Sequence, residues 1–227
     1  MEYTVETIIA NLKENGNGRA LEQMQHFGIK AKSAFGVKVP HIRSLAKEIE
    51  INHALTCELW KNDLHEARLL ATMIADYKQI TPEIADEWVS VFYSWDICDQ
   101  CCSNLFWKLP FAYEKAKYWC TQEQEYVKRA GFVMMAVLAV HDKKATNDQF
   151  KTFIPFIIEG STDERNFVKK AVNWAIRQIG KRNELLQKNM IDLSLQLKQS
   201  KSPAAKWIAA DAFRELTNSK TRIKNIS

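Results

Sequence analysis

Glycine and proline are scarce, at 7 and 5 of 227 residues. That excludes a collagenous chain, a proline-rich linker protein and a turn-dense β-sandwich. Long apolar runs are missing too. The longest uncharged apolar stretch, Ala130 to Val140, has 11 residues, well short of the ~20 that span a bilayer. Residues 1–15 alternate charged with apolar positions and lack the unbroken apolar stretch of a signal peptide. Five cysteines, an odd number, fit reduced thiols better than a disulfide framework, so the expected compartment is the cytoplasm. What the chain does have is large apolar side chains. At 46% hydrophobic residues it collapses rather than staying disordered. The length suits a single domain over residues 1–227, built as one continuous core or repeat array.

Charge is unevenly distributed. Residues 1–162 carry 18 basic and 21 acidic side chains, whereas residues 163–227 carry 14 basic and 6 acidic. The whole positive excess of the molecule therefore lies in its last third. Such segregation has the form of an electrostatic footprint for a phosphate backbone, and equally that of a solvated basic surface.

Apolar residues recur at three- and four-residue steps along most of the chain, and two-residue alternation is scarce. Apolar-periodic stretches run over 41–51, 66–77, 83–93, 111–120, 126–140 and 203–217. Asn17-Gly18, Thr81-Pro82, Leu109-Pro110, Ser161-Thr162-Asp163 and Ser202-Pro203 punctuate them, with Pro82 at a first helical turn where its missing N–H costs nothing. Many short amphipathic helices with brief connections imply an all-α protein, an α-solenoid of stacked antiparallel helix pairs in which each pair needs its neighbours to complete the core. The inner helices of such a stack line a concave groove, here expected to be basic and suited to a long ligand.

Two helices carry polar and aromatic residues away from their apolar stripe. Over 163–182, Val168, Val172, Ala175 and Ile179 form one stripe, and Lys170, Trp174, Arg177 and Lys181 repeat the same spacing on another. Cations pair with phosphates while an indole packs on a sugar or base; alternatively the indole packs on the next helix with Lys and Arg stems around it. The second helix opens with Ser94-Trp95-Asp96-Ile97-Cys98-Asp99. Ser94 or Asp96 serves as its cap. Trp95 and Asp99, four residues apart, share a face. A carboxylate beside an indole suits a site that receives a cation, or Asp99 pairs with a basic neighbouring helix.

Other patterns fall away. Cys98 and Cys101 have zinc or redox spacing, and Cys102 follows, but no second ligand pair accompanies them, so they are expected to be small buried residues. His65-Glu66 opens like a metalloprotease motif, yet Leu69 stands where the second ligand belongs. The stretch His65 to Arg68 is expected to be solvated rather than to join a polar network. Gly16-Asn17-Gly18 is a turn, since Leu21 replaces the third glycine of a nucleotide-binding loop. No metal and no cofactor is required by any of these residues.

Gly36-Val37-Lys38-Val39-Pro40, the Ser94–Asp99 element, Tyr126-Val127-Lys128-Arg129-Ala130 and Lys170-Ala171-Val172-Asn173-Trp174 stand in this order along the chain. In these elements the sequence resembles the AlkD-like DNA alkylation-repair glycosylases, which are built from HEAT-like helical repeats. The resemblance covers most of the chain and is most specific in the W-D-x-x-D and K-A-x-x-W elements. It implies that Trp95 and Trp174 are the two cleft tryptophans, Asp99 the catalytic carboxylate, and Arg129, with its neighbour Lys128, a contact to DNA. It further implies excision of positively charged alkylated purines, of 3-methyladenine and 7-methylguanine type, from double-stranded DNA, by an enzyme that meets the nucleoid when bound; a repeat array with polar end helices is expected to be a monomer. Lys170, Arg177, Lys181 and Arg182 would hold phosphates. Gln23 to Phe27 offers no tyrosine where the family often brings one toward its cleft, and Phe27 to Phe35 is unlike the founding member. A helical-repeat protein that binds DNA structure without excising a base is the other reading; a peptide-binding scaffold is the third.

Overall fold

The computed structural model describes residues 3–226. They are helical almost throughout. Among the described residues there is no strand, and a single isolated bridge joins Ser33 and Leu64. No described helix is long and apolar enough to cross a membrane. The chain divides into two compact units, and the division falls at the Leu109-Pro110 punctuation.

The N-terminal unit holds α1 (Val5–Glu14), α2 (Gly18–His26), α3 (Val39–Ile49), α4 (His53–Lys61), α5 (His65–Ile74), α6 (Pro82–Ser90) and α7 (Trp95–Asn104). Their starts follow from cap chemistry. Asn17, Asn52 and Thr81 each accept the backbone N–H three residues on, which satisfies one of the amides a helix leaves orphaned. Helix α5 packs on α3, α4 and α7, and Ala67, Leu70, Ala71 and Ile74 are fully buried there. Beside it Trp60 and Trp88 stack with centroids 3.9 Å apart, and Phe92 and Phe106 extend the cluster. Planar rings at such distances add dispersion and quadrupole attraction to the area they bury.

The C-terminal unit holds α8 (Ala112–Trp119), α9 (Glu125–His141), α10 (Asn147–Lys151), α11 (Ile154–Gly160), α12 (Asn166–Gly180), α13 (Glu184–Lys198) and α14 (Pro203–Leu216). The 11-residue apolar run of the sequence is the middle of α9. It is buried on all sides from Ala130 to Ala139, because α8 and α12 both pack on it. Gly131 lets α9 approach the end of α8. A Cβ there would lie 2.3 Å from the Cys120 backbone nitrogen. Helix α12 buries the stripe Val168, Val172, Ala175 and Ile179 read from the sequence and packs on α9, α13 and α14.

Candidate functional site

Helix α7 begins in a buried polar network. Ser94 is fully buried, and instead of capping the helix its hydroxyl donates to Asp96 Oδ1 at 2.5 Å. Asp96 Oδ2 lies 2.8 Å from His65 Nε2, and His65 Nδ1 lies 2.7 Å from the Tyr93 hydroxyl. Both ring nitrogens of His65 are therefore engaged, Nε2 by the carboxylate and Nδ1 by the Tyr93 hydroxyl. Burial alone would raise the Asp96 carboxyl. The hydrogen bond and charge of His65, helped by Ser94 and the Ile97 N–H, hold it below its ordinary value instead. Burial, then the Asp96 charge, pushes the Tyr93 hydroxyl up. Both nitrogens of His65 are occupied, so the network fixes the start of α7 and leaves no imidazole nitrogen for proton transfer to a ligand.

On that fixed start, Trp95 and Asp99 lie one turn apart on one side of α7, each partly exposed. The Trp95 indole N–H donates to the Phe27 carbonyl at 2.9 Å, which ties the end of α2 to the indole. The Phe27 ring itself is exposed. A largely apolar cavity of about 430 Å³ opens beside them, lined by Met24, Phe27, Val37, Leu69, Trp95 and Gln100 among others.

The Gly36–Pro40 element forms part of that wall, and its glycine is required by the backbone. Gly36 has φ +76°, and a Cβ would stand 2.4 Å from the Asn17 carbonyl oxygen. The loop is held by Glu66, which is fully buried. Its carboxylate accepts the backbone N–H of Phe35, Gly36 and Val37 at 2.7 to 3.2 Å. Arg68 stacks on Trp60 and Tyr93 and donates to the Trp60 and Asn62 carbonyls. The expectation that His65 to Arg68 is solvated is therefore corrected. Three of these four residues organise the ground beneath α7 and the loop, because a buried carboxylate or imidazole persists only where donors and acceptors surround it.

In the C-terminal unit the face of α12 carries Lys170, Trp174, Arg177 and Lys181. Lys170 is exposed and Trp174 partly so. With its amide turned so that the oxygen faces these donors, Gln178 accepts from the Trp174 indole N–H at 3.0 Å and from Lys181 at 3.3 Å. Arg177 Nε and Lys181 Nζ both reach Glu215 of α14, at 2.5 and 2.6 Å, and Arg177 also faces Asp211 at 3.4 Å. On α9, Lys128 lies 3.5 Å from Asp163, which also binds the Arg165 guanidinium at 2.5 Å. Burial would raise the Asp163 carboxyl, but Arg165 and Lys128 hold it low.

Two expected phosphate ligands are placed differently. Arg182 is fully buried. Its guanidinium donates to the carbonyls of Ala139, Asp142 and Ala145 and covers the Phe150 ring at 4.2 Å. It joins α9, α10 and α12 from inside, so it is corrected from a DNA contact to a structural arginine; the sequence offered it only as one more cation after Lys181. Arg129 is 5% exposed and donates to the Phe167 carbonyl at 2.5 Å, which leaves it little surface for a phosphate. Cys98, Cys101 and Cys102 are all buried. Burial, with Cys98 beside it, pushes the Cys101 thiol well up, away from thiolate chemistry. Among the described residues no three His, Cys, Asp or Glu side chains group as metal ligands.

Trp95 in the first unit and Trp174 in the second are thus each partly exposed on a helix face. The first stands beside a carboxylate and a cavity, the second among cations. A protein-family model described as DNA alkylation repair enzyme matches residues 8–216. No curated protein matches the chain. One similar solved structure is described as a new family of proteins related to the HEAT-like repeat DNA glycosylases with affinity for branched DNA structures; it aligns with a TM-score of 0.77 and 19% identity over 98% of this chain and 97% of that one. An engineered protein aligns at 13% identity over 96% of this chain and 95% of its own, with a TM-score of 0.44 that carries no argument. At these identities the likeness is one of fold, and that fold is the all-α HEAT-like repeat architecture.

Proposed function

The chain belongs to the DNA alkylation repair enzyme family, and from that premise we propose that it is a monofunctional DNA glycosylase that hydrolyses the glycosidic bond of positively charged alkylated purines in double-stranded DNA. The observation that carries this reading is the pair Trp95 and Asp99 on one side of α7. Its start is locked by the buried Ser94, Asp96 and His65 network. A purine alkylated at N3 or N7 is cationic and already a good leaving group. Losing it places oxocarbenium character on the deoxyribose. The Asp99 carboxylate stabilises that charge and orients the attacking water, while the Trp95 face attracts the cationic sugar. Trp174, with Lys170 beside it, holds the DNA backbone. A leaving group this activated needs no strong general acid, so a carboxylate pair of the glycoside-hydrolase kind is unnecessary. The substrate class is 3-methyladenine and 7-methylguanine, and the protein acts as a monomer without a cofactor.

A second reading has one observation in its favour. Two of the cations expected to meet phosphates on α12, Arg177 and Lys181, are engaged by Glu215, and the similar structure is described by its affinity for branched DNA structures rather than by base excision. On that reading the chain binds DNA shape and Asp99 is dispensable. Duplex DNA methylated with a simple alkylating agent separates the two. Chromatography of the soluble fraction should recover free 3-methyladenine and 7-methylguanine, with abasic sites left in the duplex. Tight binding to a four-way junction with no released base favours the second reading.

A further inference from the structure

The C-terminal unit contains a second basic feature, where Gln178 and Lys181 at the end of the α12 face meet the chain that follows α14. After α14 the chain turns back and is pinned at both ends. Thr221 Oγ1 donates to the Glu215 carbonyl at 2.5 Å, and Thr221 N–H to the Asn218 carbonyl at 2.9 Å. Farther on, Lys224 N–H and Ile226 N–H donate to the Lys181 and Arg182 carbonyls at 2.9 and 2.8 Å, and Asn183 Nδ2 donates to the Ile226 carbonyl at 2.6 Å. Between this strap and the last turn of α12 lies an open cleft of about 800 Å³. Lys143, Lys181, Lys220, Arg222 and Lys224 line it, against a single carboxylate among the described residues, Glu215.

We propose that this cleft binds the phosphodiester backbone of DNA, with Lys220, Arg222 and Lys224 of the strap as its ligands and Lys143 and Lys181 as its opposite wall. The proposal rests on the reading that the chain binds DNA, and it extends the Lys181 end of the α12 face with the cations of the strap. Glu215 offsets Lys181 alone among the cleft cations, at 2.6 Å, because Arg177 holds its other oxygen at 2.5 Å, and Lys143, Lys220, Arg222 and Lys224 remain in excess. The buried Arg182 adds a further positive charge nearby. Burial first, then the charges of Lys143, Lys181 and Arg182, depress the Lys224 ammonium, and a bound anion relieves that repulsion. Lys220, Arg222 and Lys224 alternate along the strap and all line the cleft, so they present a row of charge, which suits a polyanion better than a lone phosphate. No aromatic side chain lines the cleft among the described residues, so it holds a backbone and offers no platform for a base.

Binding of a fluorescent duplex is measured over a range of salt concentrations for the wild type and the Lys220→Ala, Arg222→Ala, Lys224→Ala triple variant. The strap is pinned largely by backbone and Thr221 and Asn183 groups that the variant keeps, so its melting temperature should not move. Each lost phosphate contact flattens the dependence of log K on log salt by about 0.9; the triple variant should be flatter by about 2 to 3 and weaker at low salt. A wild type that binds with a slope the variant leaves unchanged overturns the cleft and leaves the DNA reading standing. A wild type that binds no DNA overturns both. Amine acetylation of the unmutated protein gives an independent check. Saturating duplex should protect Lys220 and Lys224 and leave Lys188 on α13 accessible; equal labelling of all three with and without DNA contradicts the proposal.

Discussion

At the scale of single residues, the side chains that organise the site are polar and buried. Glu66 is the clearest case. One carboxylate satisfies three consecutive backbone amides of a loop that has no other regular structure. Glu66→Ala leaves those N–H groups buried without their acceptor, at about 1–3 kcal/mol for each unsatisfied group. A loss of about 3 kcal/mol or more is therefore expected from the shift in denaturant midpoint, and a loss below about 0.5 kcal/mol, the scale of surface substitutions, would show that the loop finds other partners. Asp96 makes a prediction in pH. Its folded carboxyl lies below the unfolded value, so it stabilises fully above the unfolded pKa of about 3.9, and that contribution fades as pH falls through the lower folded value. Unfolding curves of Asp96→Asn and wild type should differ most near neutrality and converge below about pH 4. A constant gap across that range would deny the carboxylate this role. None of this was legible in the sequence. His65 and Glu66 look like any polar pair at a helix start, and only the loop brought back from residues 33–38 gives Glu66 its donors.

At the scale of elements, sequence and structure agree where the signals are local. Thr81 and Ser202 cap the helices that Pro82 and Pro203 begin, and the stripe of α12 is buried as its spacing required. The start of α12 is the exception. The sequence places it at residue 163, and the helix begins at Asn166, because Asp163 turns to accept from Arg165 while Glu164 accepts from Ser202 and Ala204 to cap α14. The Asp163–Arg165 contact is a local turn, but the partners of Glu164 come from tertiary contact, which no local pattern records. Close approach is equally silent in sequence. Gly131 reads as a weak point in a helix, yet it is where α9 meets the backbone of Cys120. Gly131→Ala would gain helix propensity, but overpacking of this kind costs about 1–3 kcal/mol. The melting temperature should fall despite that gain; a rise would mean that the α8 end yields freely.

At the scale of the whole molecule, the sequence recorded the charge gradient but not how it is spent. Lys128, Arg165, Arg177 and Lys181 pair with carboxylates of their own unit, and Arg182 is interior. The strap after α14 adds Lys220, Arg222 and Lys224, which no sequence pattern singled out. The Trp95 and Asp99 pair, by contrast, was legible from spacing alone, since residues four apart on a helix share a side whatever the tertiary fold. What each does follows from chemistry that the proposed function assigns, and Asp99 carries its central claim. The most direct test is single-turnover release of 7-methylguanine from duplex DNA by the wild type and by Asp99→Asn, with DNA affinity measured alongside. Removing a preorganised group that stabilises transition-state charge costs about 10²–10³ in rate, so the variant should bind as tightly as the wild type and release base at least about 100-fold more slowly. Equal release by the two proteins, or none by either despite tight binding, would contradict it.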